Sequence, residues 1–429
     1  MTRGVARYWC ASSPRAWAML RPMLERIVIV GAGQAAAQAI DTLRRKGFAG
    51  SLTLVGAESH LPYQRPPLSK KFLSGALEQE RLLLRPAHFY TDHRVAVRLG
   101  RRAVRIDRPA RQVLLDDGTA LEYDALLLAT GSTPRQIATP GGHLGGIHYL
   151  RNIADVESIR QELTSGRRLV IVGGGYIGLE VAATAREMGL SVTVLEMAER
   201  VMNRVTCPEV SSFYQSEHSK HGVNIVCNAR VQAFDRHGSG DRVRAVVCED
   251  GSEHPADIVI VGVGVAPNDE LAQSSGLECM NGIVVDQHCR TADPHIFAAG
   301  DCTYHPNIHY GRRMRLESVD NAFEQGVSAA LNMLGTPTPH DKVPWFWSDQ
   351  YDLKMIIVGI SQGYDSMVMR GSPASRSFSA CYLFGGELLA VDTVNAPKEQ
   401  MAARKLVAAR ARPDAAKLAD ITIPLKDCL

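Results

Sequence analysis

Short aliphatic runs recur along the chain, and glycine follows most of them. Arg26–Val30 reads R-I-V-I-V, a pattern that suits a parallel strand buried on both faces. Gly31-Ala-Gly33-Gln-Ala-Ala36 follows at once. Residues 35–46 then predict a helix with Gly47 as its stop, and residues 51–55 predict the next strand. The same order returns downstream. Arg168–Val172 predicts a strand, and Gly173-Gly-Gly175-Tyr176-Ile177-Gly178 a turn. Residues 177–188 predict a helix ended by Gly189, and Ser191–Leu195 a strand closed by Glu196. Two strand–turn–helix–strand units predict an α/β fold with parallel sheets.

The glycines say what the turns are for. Gly31 and Gly173 permit a tight turn, and Gly33 and Gly175 let the backbone approach a pyrophosphate. Ala36 and Gly178 keep the helix close to its strand. Both units therefore read as Rossmann-like dinucleotide-binding domains, which implies two dinucleotides or one duplicated unit. Glu58, after the second strand, is placed to hold an adenosine ribose hydroxyl. Glu196 suits a ribose 2′-OH and repels a 2′-phosphate, which favours NADH over NADPH. Arg200 is the basic residue nearby.

Two further segments place small residues at strand ends. Residues 126–128 run into Ala129-Thr130-Gly131, and Thr291 to Gly300-Asp301 follows a strand at 282–285. A carboxylate after glycine suits a polyol hydroxyl, because glycine lets the ligand approach.

Composition narrows the class. The chain has 429 residues, enough for about three domains. Lys plus Arg is 48 and Asp plus Glu 45, so the net charge of +3 gives no case for nucleic-acid binding. No apolar run reaches the length of a membrane span. Nine cysteines, an odd number with no CxxC pair, argue against a disulfide framework, a local zinc site or an iron–sulfur cluster. They favour a reducing compartment, and the expected location is the cytoplasm. Residues 1–24 carry four arginines and no acid, and read as a disordered extension or an upstream start, with Met23 as an alternative first residue.

The order GxGxxA, Ala129-Thr130-Gly131, GxGxxG and Gly300-Asp301 resembles the pyridine-nucleotide disulfide oxidoreductase superfamily. Three longer segments are similar to the oxygenase-coupled ferredoxin reductases within it. These are Arg65-Pro-Pro-Leu-Ser-Lys70, Glu317-Ser-Val-Asp-Asn321-Ala-Phe-Glu-Gln325 and Pro344-Trp-Phe-Trp-Ser-Asp-Gln350. The similarity runs from about residue 25 to the end. It implies an FAD domain at 25–138 and 271–339, an NAD domain at 139–270 and a C-terminal α+β interface domain at 340–429. It implies FAD contacts at Gly31, Gly33, Ala35, Ala36, Glu58, Arg65, Lys70, Ala103, Ala129, Thr130, Gly131, Arg151, Gly300, Asp301, Glu317 and Val319. For NAD it implies Gly173, Gly175, Tyr176, Ile177, Gly178, Glu196 and Gly264.

Chemistry accompanies these implied roles. Asp301 suits the ribitol chain, and Arg65 and Arg151 suit a pyrophosphate. Val319 would act through its backbone at the start of a helix at 321–331, whose N-terminus stabilises charge on reduced flavin. Lys70 and Glu180 resemble a pair beside the flavin nitrogen that accepts the hydride. Trp345 and Trp347 alternate along a strand and point the same way, with an aromatic near the flavin's exposed edge. Disulfide-reducing relatives keep a cysteine pair beside the flavin, whereas Pro66-Pro-Leu-Ser-Lys70 holds none. Relatives often place an acid directly after the strand-end glycine, but this chain has Ala57 after Gly56 and Glu58 next, so either Glu58 takes over the ribose contact or that contact is lost.

The resemblance implies an NADH-oxidising FAD flavoprotein. It would pass electrons singly to an acidic 2Fe–2S ferredoxin serving a cytochrome P-450 type monooxygenase or a Rieske dioxygenase. Alternatives are the same fold serving rubredoxin, monodehydroascorbate or a quinone, or an NADH-sensing flavoprotein of apoptosis-inducing-factor type. In the C-terminal region, strands at 354–359, 366–370, 378–384 and 387–391 precede a helix at 397–411. That helix carries Lys398, Arg404, Lys405 and Arg410, with Arg412 beyond it. It and the cluster Arg312, Arg313 and Arg315 are candidate docking surfaces.

Overall fold

Strand β1 (Arg26–Val30) leads through the first glycine turn into helix α1 (Gln34–Arg45) and strand β2 (Ser51–Gly56). Strands β3 (Val95–Leu99) and β4 (Ala125–Leu128) extend the sheet, and the strand Ile296–Ala298 completes it. The order is Ile296–Ala298, β4, β1, β2, β3, all parallel. The aliphatic run of β1 has a plain cause. Ile27 and Ile29 enter one core with α1, while Val28 and Val30 enter another with Val113 and Leu115 on the opposite face. This computed structural model describes residues 24–429, so the reading of the N-terminal extension lies, but for Leu24, outside the described residues.

The second sheet repeats the plan. It is built from β5 (Ile147–Tyr149), β6 (Arg168–Val172), β7 (Ser191–Leu195), β8 (Asn224–Val226) and β9 (Ile258–Val261). Helix α2 (Tyr176–Glu187) joins β6 to β7, and α3 (Pro208–Lys220) joins β7 to β8. The order is β8-β7-β6-β9-β5, again parallel. Both units show the strand–helix–strand pattern expected from their sequence, with helix limits displaced by one residue.

Helix α4 (Val319–Met333) begins earlier than its sequence pattern suggests, because the Ser318 side chain accepts from Asn321 N and caps it. It packs closely on α1 through Gly326, where a Cβ would lie 2.6 Å from the Ala35 carbonyl oxygen.

The C-terminal region forms an antiparallel sheet of β10 (Trp345–Gln350), β11 (Leu353–Gly359), β12 (Ser366–Ser372), β13 (Ser377–Phe384) and β14 (Glu387–Val394). Its order is β10-β11-β14-β13-β12. Helix α5 (Pro397–Ala408) covers it and ends before the expected residue 411. Arg410 turns left-handed at φ 51°, and Leu388 N then donates to Ala411 O at 2.8 Å. This bond to the start of the central strand β14 thus ends the helix. The fully buried Arg370 ties the tail down, donating to Leu418 O at 2.6 Å, Ile423 O at 2.9 Å and Glu399 Oε1 at 3.0 Å.

One continuous core joins the second sheet to the C-terminal sheet, with Ile171, Leu179 and Val194 packed in the same cluster as Met355, Phe378 and Tyr382. Leu68 and Phe72, on either side of Lys70, enter that cluster too. Among the described residues, no helix is long and apolar enough to cross a membrane.

Candidate functional site

The first turn is closed on the protein side and open on the other. Gly31 has φ 108°, and a Cβ there would lie 2.0 Å from the Ala129 carbonyl oxygen. A Cβ on Gly33 would meet nothing within 4 Å. This is the room a pyrophosphate needs at the N-terminus of α1. Ala35 and Ala36 are buried behind it, and a Cβ on Gly300 would lie 3.5 Å from the Ala35 methyl.

Beside this turn, Arg151 Nη2 donates to Asp301 Oδ2 at 2.9 Å, and Ser132 Oγ donates to the same oxygen at 2.8 Å. Arg151 also holds Ser132 O at 3.0 Å and lies next to Gly131. Both bonds to Asp301 fall on Oδ2, so Oδ1 remains for a polyol hydroxyl. Gln325 Oε1 accepts from Gly300 N at 2.7 Å and from Thr303 Oγ1 at 3.0 Å, which fixes the Gly300-Asp301 turn from behind. Thr130 Oγ1 donates to Asn268 O at 2.6 Å and so ties the crossover between the two units.

Glu58 and Arg65 stand together. Arg65 Nη2 meets Glu58 Oε1 at 2.7 Å, and the Tyr63 hydroxyl donates to Glu58 Oε2 at 2.5 Å. Burial would raise the Glu58 acid, but Arg65 and Tyr63 outweigh it and hold the carboxyl below its ordinary range. Arg65 also donates to Arg151 O at 2.7 Å, which links this group to the Asp301 corner.

Lys70 and Glu180 meet across the two nucleotide units. Lys70 Nζ lies 2.6 Å from Glu180 Oε2, with only 18% and 6% of the two side chains exposed. Ser69 Oγ donates to the same oxygen at 2.5 Å, and Ser348 Oγ of β10 donates to Oε1 at 2.7 Å. Every carboxylate oxygen is therefore occupied, as a buried charge requires. Sequence reasoning missed both serines. Each lay inside a quoted segment, but neither residue type signals a partner by itself.

The second turn has the same open face: Gly173 is at φ 114°, and a Cβ on Gly175 would meet nothing within 4 Å. Glu196 folds back on this loop, accepting from Gly174 N at 2.7 Å and Ala198 N at 2.8 Å. Arg200 is turned away, donating to Thr206 O at 2.8 Å, Ser211 Oγ at 2.6 Å and Asn203 O at 3.1 Å. Ile177 is exposed at the mouth, and Arg204, absent from the sequence reading, lies 3.9 Å from a Cβ built on Gly264. Tyr176 packs inward against the large core, and burial pushes its phenol well up.

Trp345 and Trp347 do share a side of β10, their rings stacked at 5.4 Å and 30°. Trp345 Nε1 donates to Asp320 Oδ1 at 2.5 Å, and the Arg404 guanidinium lies 4.1 Å from its ring centre. Val319 opens α4 beside Asp320. Two further expected contacts lie on neighbouring segments. Ala103 begins the strand Ala103–Asp107 of a separate three-stranded sheet, and Glu317 pairs with Arg315 at 2.6 Å. In the second basic cluster Arg312 and Arg313 are exposed, Arg313 donating to Val285 O at 2.7 Å and Arg312 to Gln362 Oε1 at 3.1 Å.

With this geometry in place, comparison decides the family. The sequence matches the pyridine nucleotide-disulphide oxidoreductase family over residues 25–326 and the reductase C-terminal family over 345–429. The chain belongs to the pyridine nucleotide-disulphide oxidoreductases. Within that family it is 43% identical over 408 residues to the putidaredoxin reductase of Pseudomonas putida, covering 94% of this chain and 97% of the relative. It is 44% identical over 400 residues to the rhodocoxin reductase of Rhodococcus erythropolis, covering 93% of each. The crystal structure of the covalent putidaredoxin reductase–putidaredoxin complex is similar at a TM-score of 0.91 and 43% identity, covering 94% of this chain and 97% of that chain. Like the oxygenase-coupled branch it resembled in sequence, this oxidoreductase has no cysteine in the segment 66–70 beside the Lys70–Glu180 pair, and its described cysteines are free.

Proposed function

We propose that this protein is an FAD-dependent, NADH-oxidising reductase of an acidic 2Fe–2S ferredoxin. The ferredoxin would serve a cytochrome P-450 type monooxygenase or a Rieske dioxygenase. The observation that carries the reading is the Lys70–Glu180 pair. It bridges the two nucleotide units and is joined through Ser348 to the strand that holds Trp345 and Trp347. Bound FAD supplies the conversion of a two-electron hydride into single electrons. The chain does the rest. The Gly31–Gly33 turn receives the FAD pyrophosphate, Asp301 the ribitol, and Glu58 with Arg65 the adenosine side. The Gly173–Gly178 turn and Glu196 receive NADH. Lys70, held by Glu180, orients the nicotinamide, because hydride transfer needs its atoms about 3–3.5 Å apart.

FAD occupies residues 25–138 and 271–339 in this reading, NADH 139–270, and the ferredoxin meets the 340–429 region. The putidaredoxin reductase complex supports a small iron–sulfur protein as partner. Exposed Lys398 and Lys405 on α5, close to Arg404, suit an acidic one. We place the protein in the cytoplasm.

The test is NADH-dependent cytochrome c reduction by the purified yellow protein, with and without a panel of 2Fe–2S ferredoxins, NADPH being run beside NADH. Strong stimulation by one ferredoxin, with NADH preferred, is the expected result. Fast flavin reduction without stimulation by any member of the panel would overturn the ferredoxin assignment.

A further inference from the structure

The strand that carries the two tryptophans is pinned at two points. Ser348 holds it to Glu180, and Trp345 holds it to Asp320 in the first turn of α4. Arg404 of α5 lies over the same indole. Its Nε and Nη2 are buried without a hydrogen-bond partner, so the ring face and the charge of Asp320 keep the guanidinium there. A cation over the ring draws electron density from the indole and strengthens its N–H as a donor. The assembly borders an apolar rim: Phe323, on α4 beyond Asp320, and Met401, on α5 before Arg404, are 40% and 71% exposed. Asp320, Trp345 and Arg404 thus form a side-chain stack linking α4, β10 and α5.

We propose that Asp320 is a positioning residue for electron exit, fixing the Trp345–Trp347 pair in the orientation that receives the ferredoxin. The identity of the acceptor rests on the function proposed above; the orientation of the indole does not. The carboxyl faces Trp345 from β10, Glu324 from its own helix, Arg404 from α5 and Lys342 from the segment before β10. Burial pushes this acid up to about 6, with Glu324 adding to the rise and Trp345, Arg404 and Lys342 opposing it. A carboxylate accepts from the indole more strongly than the neutral acid does. The ring is therefore held more firmly as pH rises through that value.

The experiment compares wild-type holoprotein with Asp320→Ala, Asp320→Asn, Trp345→Phe and the double variant Asp320→Ala/Trp345→Phe. Indole fluorescence of the reductase alone is followed against pH. The ratio of ferredoxin-supported cytochrome c reduction to direct ferricyanide reduction is measured at each pH. Wild type should show a fluorescence titration centred near 6 that Asp320→Asn lacks. Asp320→Ala should lower the ratio about tenfold, through loss of a hydrogen bond to a charged group. Asp320→Asn, whose amide oxygen still accepts, should restore the ratio to within about twofold at neutral pH. Trp345→Phe should match Asp320→Ala, and the double variant should be no worse than either, because the two act as one unit. A wild-type ratio in Asp320→Ala, an unchanged fluorescence titration in Asp320→Asn, or additive losses in the double variant would overturn the proposal. Absence of ferredoxin stimulation in wild type would sink the functional reading instead, while the fluorescence titration still decides the role of Asp320.

Discussion

The two nucleotide turns share a backbone and differ in what holds the acid beyond the second strand. Pairing runs one residue for one from Arg26↔Ser51 to Val30↔Val55, and likewise from Arg168↔Ser191 to Val172↔Leu195. Gly31 N donates to Val55 O and Gly173 N to Leu195 O, both at 2.8 Å. The acids then diverge. Glu58 reaches to Tyr63 and Arg65, and an arginine balances its charge. Glu196 folds onto the amides of Gly174 and Ala198, so only neutral donors meet it in these bonds. The third motif position differs too: Ala36 is accommodated in full burial, whereas a Cβ on Gly178 would lie 2.1 Å from Gly173 O. The shared backbone decides that a dinucleotide binds. In the proposed function, side chains beyond the second strand select which groups of it are tolerated.

Gly178→Ala tests the steric half of this contrast and should have the largest effect. The added methyl must push α2 off β6, and a displacement of about 1 Å should slow flavin reduction by NADH about 100-fold. Flavin content should stay at the wild-type level, as should that of Ala36→Gly in the first turn. Equal flavin loss in both variants would show that the turns are not independent.

Glu196→Arg tests the electrostatic half. Replacing the acid by a cation should lower the NADH-over-NADPH preference in kcat/KM by about 10- to 100-fold, since one pairwise charge change amounts to a few kcal/mol. Glu58→Gln should leave that preference unchanged. An equal shift in both would place the nicotinamide cofactor in the wrong unit.

The smallest expected effect concerns the second unit's tie to the C-terminal sheet. Asp392 Oδ2 accepts from Thr206 Oγ1 at 2.6 Å and from the Tyr382 hydroxyl at 2.5 Å. Burial pushes this acid up to about 7, above its ordinary 3.8. The folded state thus binds the proton more tightly than the unfolded one. The stability this provides is complete below about pH 4 and is lost as pH rises through 7. Asp392→Asn should therefore show a shallower fall of Tm between about pH 4 and 7 by scanning calorimetry. A slope equal to wild type would assign that dependence to other groups.

Much of this was legible along the chain because its signals are local. A β-branched run followed by GxGxx needs no distant residue to be read, since positive φ and close backbone approach are properties of the turn itself. The Lys70–Glu180 and Trp345–Trp347 pairs were reached through resemblance, and the structure brings each pair together. Arg200 could not be resolved from sequence. It lies near Glu196 in the chain, and its bonds run to Thr206, Ser211 and Asn203. The partners of the cluster at Arg312–Arg315, namely Val285, Gln362 and Glu317, were likewise invisible along the chain.

The two nucleotide turns, their strands and the family motifs could be read along the chain, because each depends on residues adjacent in it. Tertiary structure alone decided the partners of each charge: Ser69 and Ser348 on Glu180, Arg151 on Asp301, and Asp320 and Arg404 on Trp345. A charge's partner is set by separations of a few ångströms between segments far apart in sequence, and those separations exist only once the cores have packed.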